Sequence, residues 1–143
     1  MMSEFTPYPR SRDAFTVEVA DRGDVVIVET TGELDLAADP LLGATLAQAE
    51  ALGRPVVADL TAVSFCASCI LGQLAAAATR LSAAGQELVV ATEAYVVRRP
   101  LSLLGMDRYF TVVPDVPAAL AHLGRSAAAP ATPEPSRLEP DPN

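Results

Sequence analysis

The sequence predicts an α/β fold in which a mixed central β-sheet is flanked by helices, in the order β-β-α-β-α-β-α-β-α. Two observations carry this. Two strand-like segments follow one another near the start, at residues 15–19 and 25–28, with a Gly-containing turn between them. From residue 39 onward, short apolar runs alternate with segments whose apolar residues recur at helical spacing, the pattern of strand–helix units laid on a sheet.

Each element has a local cause. Residues 15–19 (Phe-Thr-Val-Glu-Val) alternate with period two, as a half-exposed strand does, and the turn at Asp21-Arg22-Gly23-Asp24 closes a hairpin with the continuous Val-Val-Ile-Val run at 25–28. Residues 32–35 are expected to leave the sheet. Asp39-Pro40 predicts a helix start with Asp as N-cap and Pro in the first position, and Leu42, Leu46, Ala49 and Leu52 form its inner stripe up to Gly53. Residues 55–60 read as a short strand buried on both faces. A helix starting near Cys69 buries Ile70, Leu71, Leu74, Ala78 and Leu81 and stops at Gly85, before a strand at 87–90. Within 94–104, Pro100 is expected to kink or interrupt a helix that Gly105 terminates. A last strand at 110–113 precedes a helix at 116–123, with Asp115 as its cap and Pro117 in its first turn.

Composition sets the bounds. The 143 residues, 50% of them hydrophobic, suit one domain with a single core, expected over residues 14–124. Residues 1–13 and the Pro/Ala-rich tail 125–143 lack period and are expected to be disordered. A net charge of -8, with no basic cluster, argues against nucleic acid and anionic membranes as partners. The first residues show no cationic segment followed by an apolar core, and the most apolar stretch, 65–78, is too short to span a bilayer, so a cytoplasmic protein is expected.

The most informative stretch is 59–71, Asp-Leu-Thr-Ala-Val-Ser-Phe-Cys-Ala-Ser-Cys-Ile-Leu, where a buried strand runs into an apolar helix with a hydroxyl at the junction. It resembles the signature of anti-sigma factor antagonists, the STAS-domain family, which reads roughly D-L-S-x-V-x-F-[apolar]-D-S-[ST]-G-[LI]. Gly32-Glu33-Leu34-Asp35 matches the family's G-E-[LIV]-D and is a second, independent point of likeness. The resemblance spans about residues 15 to 123 and implies a single STAS-like domain. On its register Ser68 is the serine that a partner kinase phosphorylates, while Ala67, Cys69 and Ile70 stand in place of the family's Asp, second hydroxyl and Gly. It further implies binding to an anti-sigma factor of the histidine-kinase-like ATPase class, which releases a sigma factor. The implied contact comprises Gly32, Glu33, Asp35, Cys66, Ala67, Ser68, Cys69 and Ile70.

Other readings of these residues stay open. Ser68 also reads as a plain N-cap, worth about 1 kcal/mol to its helix. A STAS module that scaffolds a complex without being phosphorylated is an alternative. From a different class, Cys66-Ala67-Ser68-Cys69 is a C-x-x-C before a helix, as in thiol-disulfide oxidoreductases, although two small buried thiols are the commoner use of such residues. His122, the single histidine, is expected to complement the carbonyls at the end of its helix. One His and two Cys do not complete a tetrahedral zinc site, and there is no Gly-rich phosphate loop, so no cofactor, metal or catalytic site is expected. Asp59 is expected to be structural, Arg98 and Arg99 to be solvated, and self-association into a homodimer is left open.

Overall fold

The structure, a computed structural model, describes residues 15–124. Five strands form one sheet in the order β1-β2-β3-β4-β5: β1 Phe15–Asp21, β2 Val26–Leu34, β3 Val56–Cys66, β4 Leu88–Ala91 and β5 Thr111–Val113. Only the β1–β2 hairpin is antiparallel, and the three later pairings are parallel, so the sheet is mixed. Four helices connect and cover it: α1 Asp39–Glu50, α2 Ser68–Ala83, α3 Tyr95–Leu103 and α4 Val116–His122. This is the predicted order. The expectations for 1–13 and 125–143 fall outside the described residues.

Strand alternation divides the core. Val26, Val28, Val56, Ala58, Leu88 and Val90 pack with the buried residues of α1, α2 and α3. Their neighbours Val25, Ile27, Val57, Val89 and Ala91 face the other way, onto Ala119 and Leu120 of α4. A continuous β-branched run such as 25–28 therefore fits a strand that is covered on both faces. The predicted stripe of α2 is buried throughout. In α1, Leu42, Leu46 and Ala49 are buried but Leu52 is 41% exposed, because it lies beyond the last helical residue Glu50.

Three local expectations are corrected. Residues 32–34 remain in β2, and only Asp35 leaves it, to cap a short 3-10 turn at Leu36–Ala38 by accepting from the Ala37 amide at 3.0 Å. The N-cap of α1 is Ala38 rather than Asp39; the Asp39 carboxylate instead accepts from Gln73 Nε2 at 2.8 Å, while the Asp39 carbonyl accepts from the same group at 2.6 Å. That link ties α1 to α2 where Gly43 lets them approach, since a Cβ there would sit 3.0 Å from Gln73 Oε1. Finally, α3 continues through Pro100. The amide that Pro100 lacks would have met the carbonyl of Val96, a residue on the exposed side of the helix.

No helix among the described residues is long and apolar enough to cross a membrane.

Candidate functional site

The two segments singled out in the sequence lie side by side at the carboxyl ends of neighbouring parallel strands. Glu33 pairs with Phe65 and Leu34 with Cys66, and the Ala67 amide donates to the Leu34 carbonyl at 2.9 Å, which clamps the β3–α2 junction to the end of β2. Reaching this register takes two irregularities. Between Glu29 and Thr31, and again between Gly32 and Glu33, β3 gains a residue on β2. Gly32 sits at the second with φ +86°, a conformation that suits glycine, so its role is in the backbone.

At the junction, Ala67 is the N-cap of α2 in an extended conformation (φ -70°, ψ 156°), and no side chain caps the helix. Its carbonyl accepts from the Ile70 and Leu71 amides. Ser68 is thus the first helical residue and is exposed, which corrects the N-cap reading: its hydroxyl is not spent on the helix start. A helix N-terminus without a capping side chain presents unsatisfied amides and the positive end of the dipole, favourable to negative charge next to Ser68.

The expected contact residues divide by burial. Glu33 and Ser68 are exposed, Gly32, Asp35, Ala67 and Cys69 are partly so, and Cys66 and Ile70 are buried. Ile70 is wholly enclosed in the core, and Cys66 is 6% exposed, so these two are corrected from contact residues to supports of the junction. Two residues that the sequence reading missed flank the site: Phe65, 45% exposed beside Glu33, and Leu36, 73% exposed in the turn after Asp35. Phe65 reads as core because strict alternation would bury it with Val63. The added residue in β3 reverses that phase, and no local signal marks it.

The cysteines are both free. Burial first, with a smaller push from Cys69, raises the Cys66 thiol from 9.0 to about 12. That is the opposite of the depressed pKa by which a catalytic dithiol reacts, and it fits a small buried filler. His122 pairs with Glu87, Nε2 to Oε2 at 2.6 Å, rather than with the carbonyls ending α4. Asp59 holds the start of the first irregularity in β3, accepting from the Thr61 amide at 3.0 Å and its hydroxyl at 2.6 Å, in line with a structural role. Among the described residues no group of three or more His, Cys, Asp or Glu is arranged to hold a metal ion.

A mixed sheet whose parallel strands lead to an exposed, uncommitted serine on a helix N-terminus defines a small α/β domain with an exposed corner between β3 and α2. The chain belongs to the STAS domain family, whose model matches residues 16–119. It is 34% identical over 109 residues to the anti-sigma-F factor antagonist RsfB of Mycobacterium tuberculosis, covering 76% of this chain and 88% of that one. Among solved structures, an anti-sigma factor antagonist from Mycobacterium paratuberculosis superposes with a TM-score of 0.68 at 32% identity, over 78% of this chain and 96% of that one. The fold is shared with the anti-sigma factor antagonist SpoIIAA in its unphosphorylated form, with a TM-score of 0.63 at 21% identity over 78% and 97% of the two chains.

Proposed function

We propose that this protein is an anti-sigma factor antagonist, which binds an anti-sigma factor and thereby releases a sigma factor for transcription. The observation that carries the reading is the β3–α2 corner, where an exposed serine with a free hydroxyl heads an uncapped helix and is clamped to the Gly32–Asp35 segment. The partner is an anti-sigma factor of the histidine-kinase-like ATPase class. Glu33, Phe65, Leu36 and the exposed start of α2 form the contact, and the setting is the cytoplasm.

Phosphorylation of Ser68 is the off state. A phosphoryl group adds about -1.5 to -2 charges in the middle of the contact, while the adjoining amides of α2 make the modification tolerable for the fold. Binding without phosphorylation is the second reading, favoured by Ala67, which removes from the N-cap the carboxylate that the family pattern places beside the serine.

The test uses the purified anti-sigma kinase encoded in the same genome. Titration calorimetry should show binding by the wild type and by Ser68→Ala, and weakening of at least about tenfold by Ser68→Glu. Incubation with kinase and ATP should add one phosphoryl group to the wild type and none to Ser68→Ala, read by intact mass. Binding without transfer selects the second reading, and absence of binding by any form sinks both.

A further inference from the structure

Residues 1–14 precede β1, and the hairpin register fixes where they enter the fold. Phe15 is paired with Gly32, so the chain joins the sheet at the carboxyl end of β2, beside Glu33, which pairs in turn with Phe65. This corner offers both apolar and acidic side chains. Phe65 and Leu36 are exposed, and Glu33 has no ion-pair partner among the described residues. Asp35 takes the Ala37 amide with one carboxylate oxygen and keeps acceptor capacity to spare.

The sequence just before Phe15 suits that corner. It reads Phe5-Thr6-Pro7-Tyr8-Pro9-Arg10-Ser11-Arg12-Asp13-Ala14. In β1 the even positions Thr16 and Glu18 are exposed while Val17 is buried; Arg12 and Arg10 continue the exposed phase backward, and Asp13 falls on the other. Carried past Phe15 and Gly32 one residue at a time, the same register sets Ala14 against Glu33 and Arg12 against Asp35, with Arg12 also diagonal to Glu33. An extended chain at about 3.3 Å per residue carries Arg12 roughly 10 Å and Arg10 roughly 17 Å from Phe15, which is enough to cross the corner.

A segment without period builds no core of its own, but attachment at Phe15 spares it much of the entropy that a free peptide loses on binding. It also holds the two arginines beside the acids at an effective concentration on the order of millimolar. We infer that residues 5–14 fold back as a strap over the β3–α2 corner of the same molecule, with Arg12 and Arg10 against Glu33 and Asp35, and Tyr8 and Phe5 against Phe65 and Leu36. On the proposed function, on which this consequence rests, the strap covers the ground that the anti-sigma factor needs and has to be displaced when it binds.

Nuclear magnetic resonance of the full chain tests the docking without any partner. In Arg10→Glu combined with Arg12→Glu, the amide signals of Glu33, Leu36 and Phe65 should move, while those of Gly53 and Gly85, in loops at the opposite ends of the strands, stay in place. Order parameters of Arg10 and Arg12 should exceed about 0.6 in the wild type and fall below it in Glu33→Arg. Corner signals indifferent to the double charge reversal, or wild-type arginines as mobile as those of Glu33→Arg, would overturn the inference. Calorimetry with the anti-sigma kinase reads the consequence: the double variant should bind at least about threefold more tightly than the wild type. Equal affinities alongside moved corner signals would overturn the strap as an obstacle to the partner. Absence of binding by either form would sink the proposed function instead, while the resonance measurements still decide the docking.

Discussion

Two helices of this protein start in opposite ways. At α4, Asp115 takes an extended conformation and its carboxylate accepts from the Ala118 amide at 2.9 Å, with Pro117 in the first turn. At α2 the equivalent position is Ala67, also extended, with no side-chain bond at all. The shorter helix has the better start. The 16 residues of α2 need little help, because six of them, from Ile70 to Leu81, are buried and hold the helix to the sheet, whereas α4 has seven residues and buries two. Packing thus leaves the N-terminus of α2 free of structural duty, and that is where the exposed serine stands.

Substitutions at and near these starts test the contrast. The largest effect is expected at Ile70, which anchors the first turn of α2 in the core. Ile70→Ala should cost about 2–5 kcal/mol in urea unfolding, and a loss below 1 kcal/mol would mean that packing does not hold the junction. Next is the pH dependence of the buried thiol two residues before Ser68. An unfolded Cys66 ionises near 9.0 while the folded one keeps its proton to about 12, so stability is fully present below pH 9.0 and falls as pH rises toward 12. The slope contributed should reach at most ~1.4 kcal/mol per pH unit, and Cys66→Ala should flatten the alkaline limb of a stability profile.

The direct comparison comes third. Asp115→Ala should destabilise by about 1 kcal/mol, and Ala67→Asp, which supplies a cap where none exists, should stabilise by a similar amount. If Ala67→Asp is neutral while Asp115→Ala is costly, the α2 amides are already satisfied by solvent. The smallest effect belongs to Ser68→Ala, expected within about 0.5 kcal/mol of wild type because the hydroxyl caps nothing. A loss near 1 kcal/mol would return Ser68 to a structural role.

Much of the fold was legible because its causes are local. The hairpin turn at Gly23, the Val25–Val28 run, the buried stripe of α2 and the Asp115–Pro117 start of α4 act within a few residues of themselves, and the structure keeps each of them. The failures share a different origin. Local chemistry favours Asp39 as the cap of its own helix, but Gln73, 34 positions away, claims its carboxylate. The position of His122 suits the carbonyls at the end of α4, but Glu87, 35 positions away, stands within hydrogen-bonding distance. Gly32-Glu33-Leu34 reads locally as an exit from the sheet, yet β3 runs on for 11 residues and keeps β2 paired to its end. In each case a long-range partner competed with a local preference and won.

The candidate site divides along the same line. Periodicity and turn chemistry are properties of neighbouring residues, so the strand that meets a helix at residues 66–69, the hydroxyl there and the α/β class can be read directly from the chain. Long-range packing is what makes Ala67 rather than Ser68 the cap, turns Cys66 and Ile70 inward, and turns Phe65 out beside Glu33. Those outcomes depend on the register between β2 and β3, where one residue added to a strand reverses which face every later side chain occupies.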